Sequence, residues 1–534
     1  MSGLKMVWLR VVWLHIPLML SVLICATTFA VEPPRADPHA TAPVSIFNIG
    51  VKECAACHSA PSPIYTALGV TRFVRLIEAT EWLKFDKHSY AYELVRQDLS
   101  QDELETDERK SNKLSVAITS KLNYKVGEFE EKCLSCHVGS SANVPPTRMD
   151  LEFGVQCEAC HGPGSEYTRR EQHQQVSWRA KTPDQKSELG MRDLSSPSTS
   201  AAVCLSCHLG NINEGRFVTH NMYAAGHPVL PPFDLQTFLS AMPPHWKTLP
   251  EKPIVANASK SDLGTFELQA EYNLAHFDIA GTADAIQLAI QGSYDKTRRS
   301  MIGGLVANDL GIELIHQAAA KTETWGDYSI YNCMGCHQEL KKNRTPFRHE
   351  SRTPGRPFPA NWLRLEYPAI HVSHRDKQEA LSRQMTDSFN AVPFGDARQL
   401  NELSESHLQT LSNRFADRRK MERQAMTKQE VRQWLEFLLK SRHDSLDDYW
   451  VAKQTAWMLF VAIDELVEHK ELAHDSVAPM QKELRESLRL DLKLPRRQSV
   501  LDGQKGSLET ARSFDAARCK LLLIKIVEAT ATIR

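Results

Sequence analysis

The sequence predicts a mainly α-helical protein in two unlike parts. Residues 47–374 form a loop-rich region of short helices, and residues 375–534 an all-helical C-terminal bundle. Three observations predict this. Five copies of Cys-x-x-Cys-His are spread through the first part and absent from the second. Gly and Pro punctuate the first part and become sparse after about Asp376, where apolar residues take up helical spacing. Strand signals, alternating runs rich in β-branched and aromatic residues, are few throughout.

The chain opens on an export signal over residues 1–30. Lys5 and Arg10 precede an apolar stretch through Ile16, Leu18, Leu20, Val22, Leu23 and Ile24, which closes on the small-x-small pattern Thr28-Phe29-Ala30. The competing reading is a retained N-terminal anchor, since Val11 to Ala30 is just long enough to span a bilayer; His15 and Pro17 argue against it. Cys25 follows Ile24 rather than the small residue a lipidated cysteine needs. Residues 31–46, with Pro33, Pro34, Pro38 and Pro43, read as a linker.

The five motifs are Cys54-Ala-Ala-Cys57-His58, Cys133-Leu-Ser-Cys136-His137, Cys157-Glu-Ala-Cys160-His161, Cys204-Leu-Ser-Cys207-His208 and Cys333-Met-Gly-Cys336-His337, and they use ten of twelve cysteines. In each, two thiols can add to the vinyl groups of one haem, and the next residue offers its imidazole to the iron. The expectation is five covalently attached c-type haems with His58, His137, His161, His208 and His337 as proximal ligands. A zinc ribbon does not require a His after every Cys pair, and a thioredoxin-type redox pair occurs once. A disulfide framework suits a much shorter chain. Spacing is uneven: the second and third motifs begin 24 residues apart, the fourth and fifth 129 apart. The long interval predicts extra helical structure and further iron ligands before the last motif.

Second axial ligands are expected from the other histidines, since paired imidazoles are common in low-potential multihaem carriers. His88 leads, on a helix read over Trp82–Glu93. His220 and His227, seven residues apart, would share a helix face and serve two different haems, with Gly226 and Pro228 marking the helix end. His245, after Pro243-Pro244, and His316, in the apolar helix from Leu310, complete the candidates. His39, His173, His276, His349, His371 and His374 are left unassigned, and His407, His443, His469 and His474 are expected on the bundle surface.

In the bundle, Thr427-Lys-Gln-Glu430 is a capping box ahead of Val431, Trp434, Leu435 and Leu438. A second helix is expected from Asp444 or Ser445, and a last one over about Ser507–Thr530 with Cys519 buried on its apolar face.

Several segments resemble a known group. Gly154-Val-Gln-Cys157-Glu-Ala-Cys-His161-Gly-Pro-Gly-Ser165 looks like the third-haem segment of multihaem cytochromes of the cytochrome c-554 / hydroxylamine oxidoreductase-related group. Lys87-His88-Ser-Tyr-Ala looks like that group's distal-ligand helix, Met222-Tyr-Ala-Ala-Gly-His227-Pro is similar to a segment of its larger bacterial members, and Asp448-Tyr-Trp to their helical tail. The resemblance covers roughly residues 50–340. Five motifs exceed the four of the carrier and fall short of the eight of hydroxylamine oxidoreductase, and the Cys-x-x-Cys-Lys of the pentahaem nitrite reductases is absent.

These readings imply a periplasmic electron carrier working between redox partner proteins, membrane-associated only if the N-terminal segment is retained. The alternative is a haem enzyme with one open iron acting on a small nitrogen or sulfur compound, with Tyr90, Tyr223 and His245 as nominal proton handlers. A third reading, compatible with both, makes the chain a subunit of a larger redox complex docked through the bundle. With 64 basic and 65 acidic residues and no basic stripe, nucleic acid is not an expected partner.

Overall fold

The computed structural model describes residues 46–60, 75–95, 115–125, 129–139, 151–173, 178, 181–245, 294–320, 327–331, 375–391, 395–409, 418–422, 424–442, 446–490, 492, 510–511 and 513–532. The N-terminal segment read as an export signal, residues 31–45 of the expected linker and the fifth motif lie outside these residues. The fold is mainly α-helical, and among the described residues there is no strand, only an isolated antiparallel bridge between Asn211 and Arg216.

The N-terminal half consists of short helices: α1 (Val51–His58), α2 (Glu78–Phe85), α3 (Ser135–His137), α4 (Cys157–His161), α5 (Arg170–His173) and α6 (Pro183–Ser187). Longer elements follow: α7 (Pro197–His208), α8 (His220–Ala225), α9 (Leu235–Ala241) and α10 (Asp295–Ala320). The interval between the fourth and fifth motifs thus carries helical structure, as its length predicts. The C-terminal part contains α11 (Arg375–Asn390), α12 (Ala397–Gln409), α13 (Lys428–Arg442), α14 (Tyr449–Glu468), α15 (His474–Leu488) and α16 (Ala516–Ala529).

Helix α10 organises the second half, packing against α7, α9, α12 and α14. It reads as apolar nearly all round, and Ile302, Ala307, Ile312, Leu314, Ile315 and Ala318 are buried. Gly303 permits its closest contact, because a Cβ there would meet the Leu235 Cβ at 2.5 Å. Its first turn is capped from another helix: Glu465 of α14 accepts from the Lys296 and Thr297 amides, both at 2.9 Å, and from the Thr297 hydroxyl at 2.7 Å.

Helix α14 is the most buried element. Asp448 caps it, accepting from the Trp450 and Val451 amides at 2.9 Å each. The start expected at Asp444 or Ser445 is therefore displaced to Tyr449, because Asp448 is the residue whose carboxylate reaches those amides. The polar ends of its aromatic side chains are satisfied: Tyr449 donates to the Leu488 carbonyl at 2.9 Å and Trp457 to that of Leu490 at 2.8 Å. The Thr427–Glu430 capping box forms as the spacing predicts, with Glu430 accepting from the Thr427 amide at 2.7 Å and Thr427 from the Glu430 amide at 3.3 Å. The last helix is shorter than expected, running from its Asp515 cap to Ala529, and Cys519 is buried on it.

One apolar cluster runs from Ala201, Leu205 and Phe233 through α10 into α13, α14, α15 and α16, so the change of composition near residue 375 is not a break in packing. Further toward the N-terminus the protein-only core thins to a small cluster of Val95, Leu134 and Val138. Among the described residues no helix is long and apolar enough to cross a membrane.

Candidate haem sites

Two polar clamps hold the four described motifs in couples. The first joins motifs one and three. Glu158, an interior residue of the third motif, is buried and accepts from Ile49 at 2.9 Å, Gly50 at 2.8 Å and Gly164 at 2.7 Å. Gln156 beside it accepts from the Val51 amide at 3.0 Å. Together they cap α1, which carries the first motif, with a buried anion at its positive end. The Cys54 thiol donates to the Gly50 carbonyl at 3.7 Å, and α1 packs against α4. Arg192 closes the other end of the third motif, donating to the Ala159 carbonyl at 2.7 Å.

The second clamp joins motifs two and four. Motif two runs from a π-turn (Glu130–Leu134) into α3, and motif four ends α7. Arg216 donates to the Ser135 carbonyl at 3.0 Å and to the Ser206 hydroxyl at 2.8 Å, one residue from each motif, and is paired with Glu214 at 2.6 Å. The Cys207 sulfur lies 3.8 Å from the Ser206 hydroxyl that Arg216 also binds. Between the couples, α4 of the third motif packs directly against α7, which carries the fourth. The motifs therefore abut in the order one, three, four, two.

The histidines meet in pairs, one motif imidazole facing one from elsewhere. His58 and His173 have ring centres 6.3 Å apart, His208 and His88 6.2 Å, and His161 and His245 6.5 Å. His227 is pushed down to about 4 by burial first and then by the charge of His137. His161, His173 and His208 are also pushed down to about 4, each by burial first and then by its partner histidine. At neutral pH these are neutral imidazoles, the form that binds metal.

Fixed acceptors hold five of the rings through Nδ1. His58 faces Glu78 at 2.9 Å, His88 faces Asp86 at 2.9 Å, His137 the Ala91 carbonyl at 2.9 Å, His227 the Pro228 carbonyl at 2.8 Å and His245 the Pro243 carbonyl at 3.4 Å. Such an acceptor fixes the tautomer and leaves the other ring nitrogen to bind a metal. Burial, the largest single effect, raises the Glu78 and Asp86 carboxyls, but the hydrogen bonds and charges of His58 and His88 together with backbone amides outweigh it and hold both below the ordinary range.

Residues 53–162 match the family described as cytochrome c554 and c-prime. The chain is a c-type cytochrome. No curated protein and no solved structure matches it. The matched stretch holds the first three motifs, and with the family come covalently bound haem and a role in electron transfer.

The residues of the cytochrome fit that group. Two imidazoles bound in line to one metal, at about 2 Å per bond and roughly 1.1 Å from nitrogen to ring centre, stand about 6.2 Å apart. The three measured pairs lie at 6.2–6.5 Å. Nδ1 of His173 is buried without a hydrogen-bond partner, an orphan that a metal would satisfy. Beside His208, an apolar cleft lined by Leu205, Phe217, Tyr223, Val229 and Tyr331 offers the surface a flat macrocycle packs against. Among the described residues no group of three or more His, Cys, Asp or Glu side chains gathers into one metal cluster.

Several sequence expectations are corrected. The helix read over Trp82–Glu93 is two pieces: Asp86 is extended and ends α2, and His88 sits in the 3-10 turn Lys87–Tyr90 that the Asp86 carboxylate caps. Gly154 makes room for this turn, since a Cβ there would lie 2.5 Å from the His88 carbonyl. His220 and His227 share no helix face, because Gly226, at φ 124°, ends α8 between them. His407 is buried rather than on the surface, 3.4 Å from Asp309, which also binds Arg418; the buried charges compensate one another. His469 and His474 are exposed, as expected, with the His469 ring centre 4.7 Å from that of Tyr294.

His173, left unassigned by the sequence, faces His58. Its only local signal is aromatic company: Trp178 lies 5.3 Å and Tyr167 6.2 Å from its ring. His220 stands edge-on to Tyr328, and its amide donates to Asp327 at 2.9 Å. His316 is 3.4 Å from the Ser404 hydroxyl, next to Ile315, which packs with Ile330 and Tyr331. Both histidines thus adjoin the Asp327–Tyr331 segment that leads to the fifth motif, whose Cys333, Cys336 and His337 lie outside the described residues.

Proposed function

We propose that the chain is an exported, periplasmic pentahaem electron carrier with paired histidines at its irons. The pairs are His58 with His173, His137 with His227, His161 with His245, and His208 with His88. The observation that carries this reading is the repeated 6.2–6.5 Å spacing, each time between one motif histidine and one from another segment. Bound haem supplies a one-electron Fe(III)/Fe(II) couple tuned by its ligands and surroundings. The residues contribute holding and orientation: thioethers from the cysteines, fixed imidazoles, and the Glu158 and Arg216 clamps that keep neighbouring sites in contact. That contiguity, in the order one, three, four, two, suits passage of electrons between two redox partner proteins.

The fifth haem belongs to Cys333, Cys336 and His337, with His220 or His316 as the source of its second ligand. Export rests on the signal-like N-terminal segment and on the habit of c-type cytochromes. The near-balanced charge favours docking through local patches.

Two measurements test this reading. Intact mass of the purified protein is expected to exceed the mature polypeptide by five haems. Electron paramagnetic resonance of the ferric protein is expected to give only low-spin signals, unchanged by nitrite or nitric oxide. A ligand-sensitive high-spin signal would overturn the carrier reading in favour of an enzyme acting on a small nitrogen or sulfur compound.

A further inference from the structure

The acceptors behind the histidines differ in charge, and they differ by site. At the first site His58 faces the Glu78 carboxylate, and at the fourth His88 faces Asp86. At the second site both partners of the pair, His137 and His227, face neutral carbonyls, and at the third His245 does. Both carboxylates are built in. Glu78 also accepts from the Arg75 amide, and its side chain is 18 % exposed; Asp86 takes the His88 amide at 3.0 Å and is 3 % exposed. Neither can swing into water without giving up a backbone hydrogen bond.

An imidazole whose ring N–H donates to a carboxylate is a stronger electron donor to its metal than one donating to a carbonyl. The adjacent anion also favours the oxidised site, which carries one more positive charge, and does so strongly where water is excluded. The two effects have the same sign. We infer that Glu78 and Asp86 are positioning residues that make the first and fourth haems harder to reduce than the same sites would be with a neutral acceptor behind the histidine. The clamps join site one to three and four to two, so each couple holds one carboxylate-backed and one carbonyl-backed member. The third site lies in a mixed field, with the buried Glu158 carboxylate inside its motif and Asp86 acting on His245, against Arg192 at the motif's end.

This inference rests on the haem assignment above, and the experiment separates the two. Full-length holoprotein and the Glu78→Gln, Asp86→Asn and Glu78→Asp variants are titrated with dithionite while haem absorbance is followed, with haem content and low-spin resonance measured on each. Wild type lacking the full haem content or the low-spin spectra would overturn the assignment itself. Given both, Glu78→Gln and Asp86→Asn are each expected to move one one-electron component at least tenfold toward the reduced form, about 59 mV for a single electron. Glu78→Asp, which keeps the charge, is expected to stay near wild type. If Glu78→Gln keeps its haems and spectrum and no component moves by as much as threefold, the inference is wrong. Should Asp86→Asn fail to fold, Glu78→Gln against Glu78→Asp decides alone.

Discussion

Replacing Glu158 should loosen the first haem site although Glu158 touches no iron ligand. Its carboxylate accepts from three amides, and those of Gly50 and Gly164 are in buried surroundings while that of Ile49 is partly buried. In Glu158→Ala, each buried amide loses this acceptor and costs about 1–3 kcal/mol, whereas the Ile49 amide can recruit water. Taking about 1.5 kcal/mol for each of the two buried donors gives about 3 kcal/mol, at roughly 1.4 kcal/mol per factor of ten. The amides of α1 should therefore exchange with deuterium roughly a hundredfold faster than in wild type. Glu158→Gln keeps one acceptor oxygen and should fall between, near tenfold. Hydrogen-exchange mass spectrometry on peptides covering residues 46–58 and 157–168 reads this directly, with α14 peptides as an internal standard. If α1 exchanges within threefold of wild type in a fully haem-loaded Glu158→Ala protein, the clamp contributes little and the reasoning fails.

Three further outcomes are expected. Arg216→Ala should remove the bridge between motifs two and four and cost about 3 kcal/mol, with no rescue by Lys, whose point charge cannot reach both Ser135 and Ser206; denaturation followed at the Soret band checks this. Burial raises Glu465 above the ordinary 4.5, its hydrogen bonds from Thr297 and Lys296 pulling the other way. Because the folded value is the higher one, its contribution to stability is whole below the ordinary value and is lost as pH rises through the raised value, so wild type should lose stability against Glu465→Gln as pH rises from about 4.5 toward neutrality. Unfolding curves at the two ends test this, and a difference that is flat or grows with pH contradicts it. Protein made without haem should give a protease-resistant fragment from the α10–α16 region and none from residues 46–173, and near-native circular dichroism from such a preparation would refute the claim that haem completes the first part.

Legibility followed the range of the interactions. The Cys-x-x-Cys-His motifs and the Thr427–Glu430 cap are local and could be read directly. The start of α14 could not, because Asp444, Ser445, Asp447 and Asp448 can all cap and only tertiary packing selects Asp448. Asp86 looks helical by position, yet His88 captures its carboxylate and breaks the helix there. The pairing of His173 with His58 and the burial of His407 are long-range: each depends on a partner segment distant in sequence. Glu158 fills a variable position of its motif and carries no signal until the backbone of Ile49 and Gly50 lies over it.

The two kinds of core explain why the chain needs its bundle. Around the first three motifs the protein-only apolar cluster is small, so polar clamps and the haem faces must organise the chain. The fourth motif is different: α7, which carries it, is seated through Ala201 and Leu205 in the large cluster that continues into α13, α14 and α16. The bundle also caps α10 through Glu465 and reaches the His88 turn, where Lys87 donates to the Leu492 carbonyl at 3.0 Å. One end of the fourth haem site is therefore built on a conventional helical core, and its opposite ligand is held by that same core. The other described sites are then fixed relative to it in turn, the second through Arg216 and the third through Gly154, which presses the third-motif approach onto the His88 turn, with the first following through Glu158. Among the described residues, the four motifs thus obtain a fixed arrangement by being referenced in turn to one packed bundle.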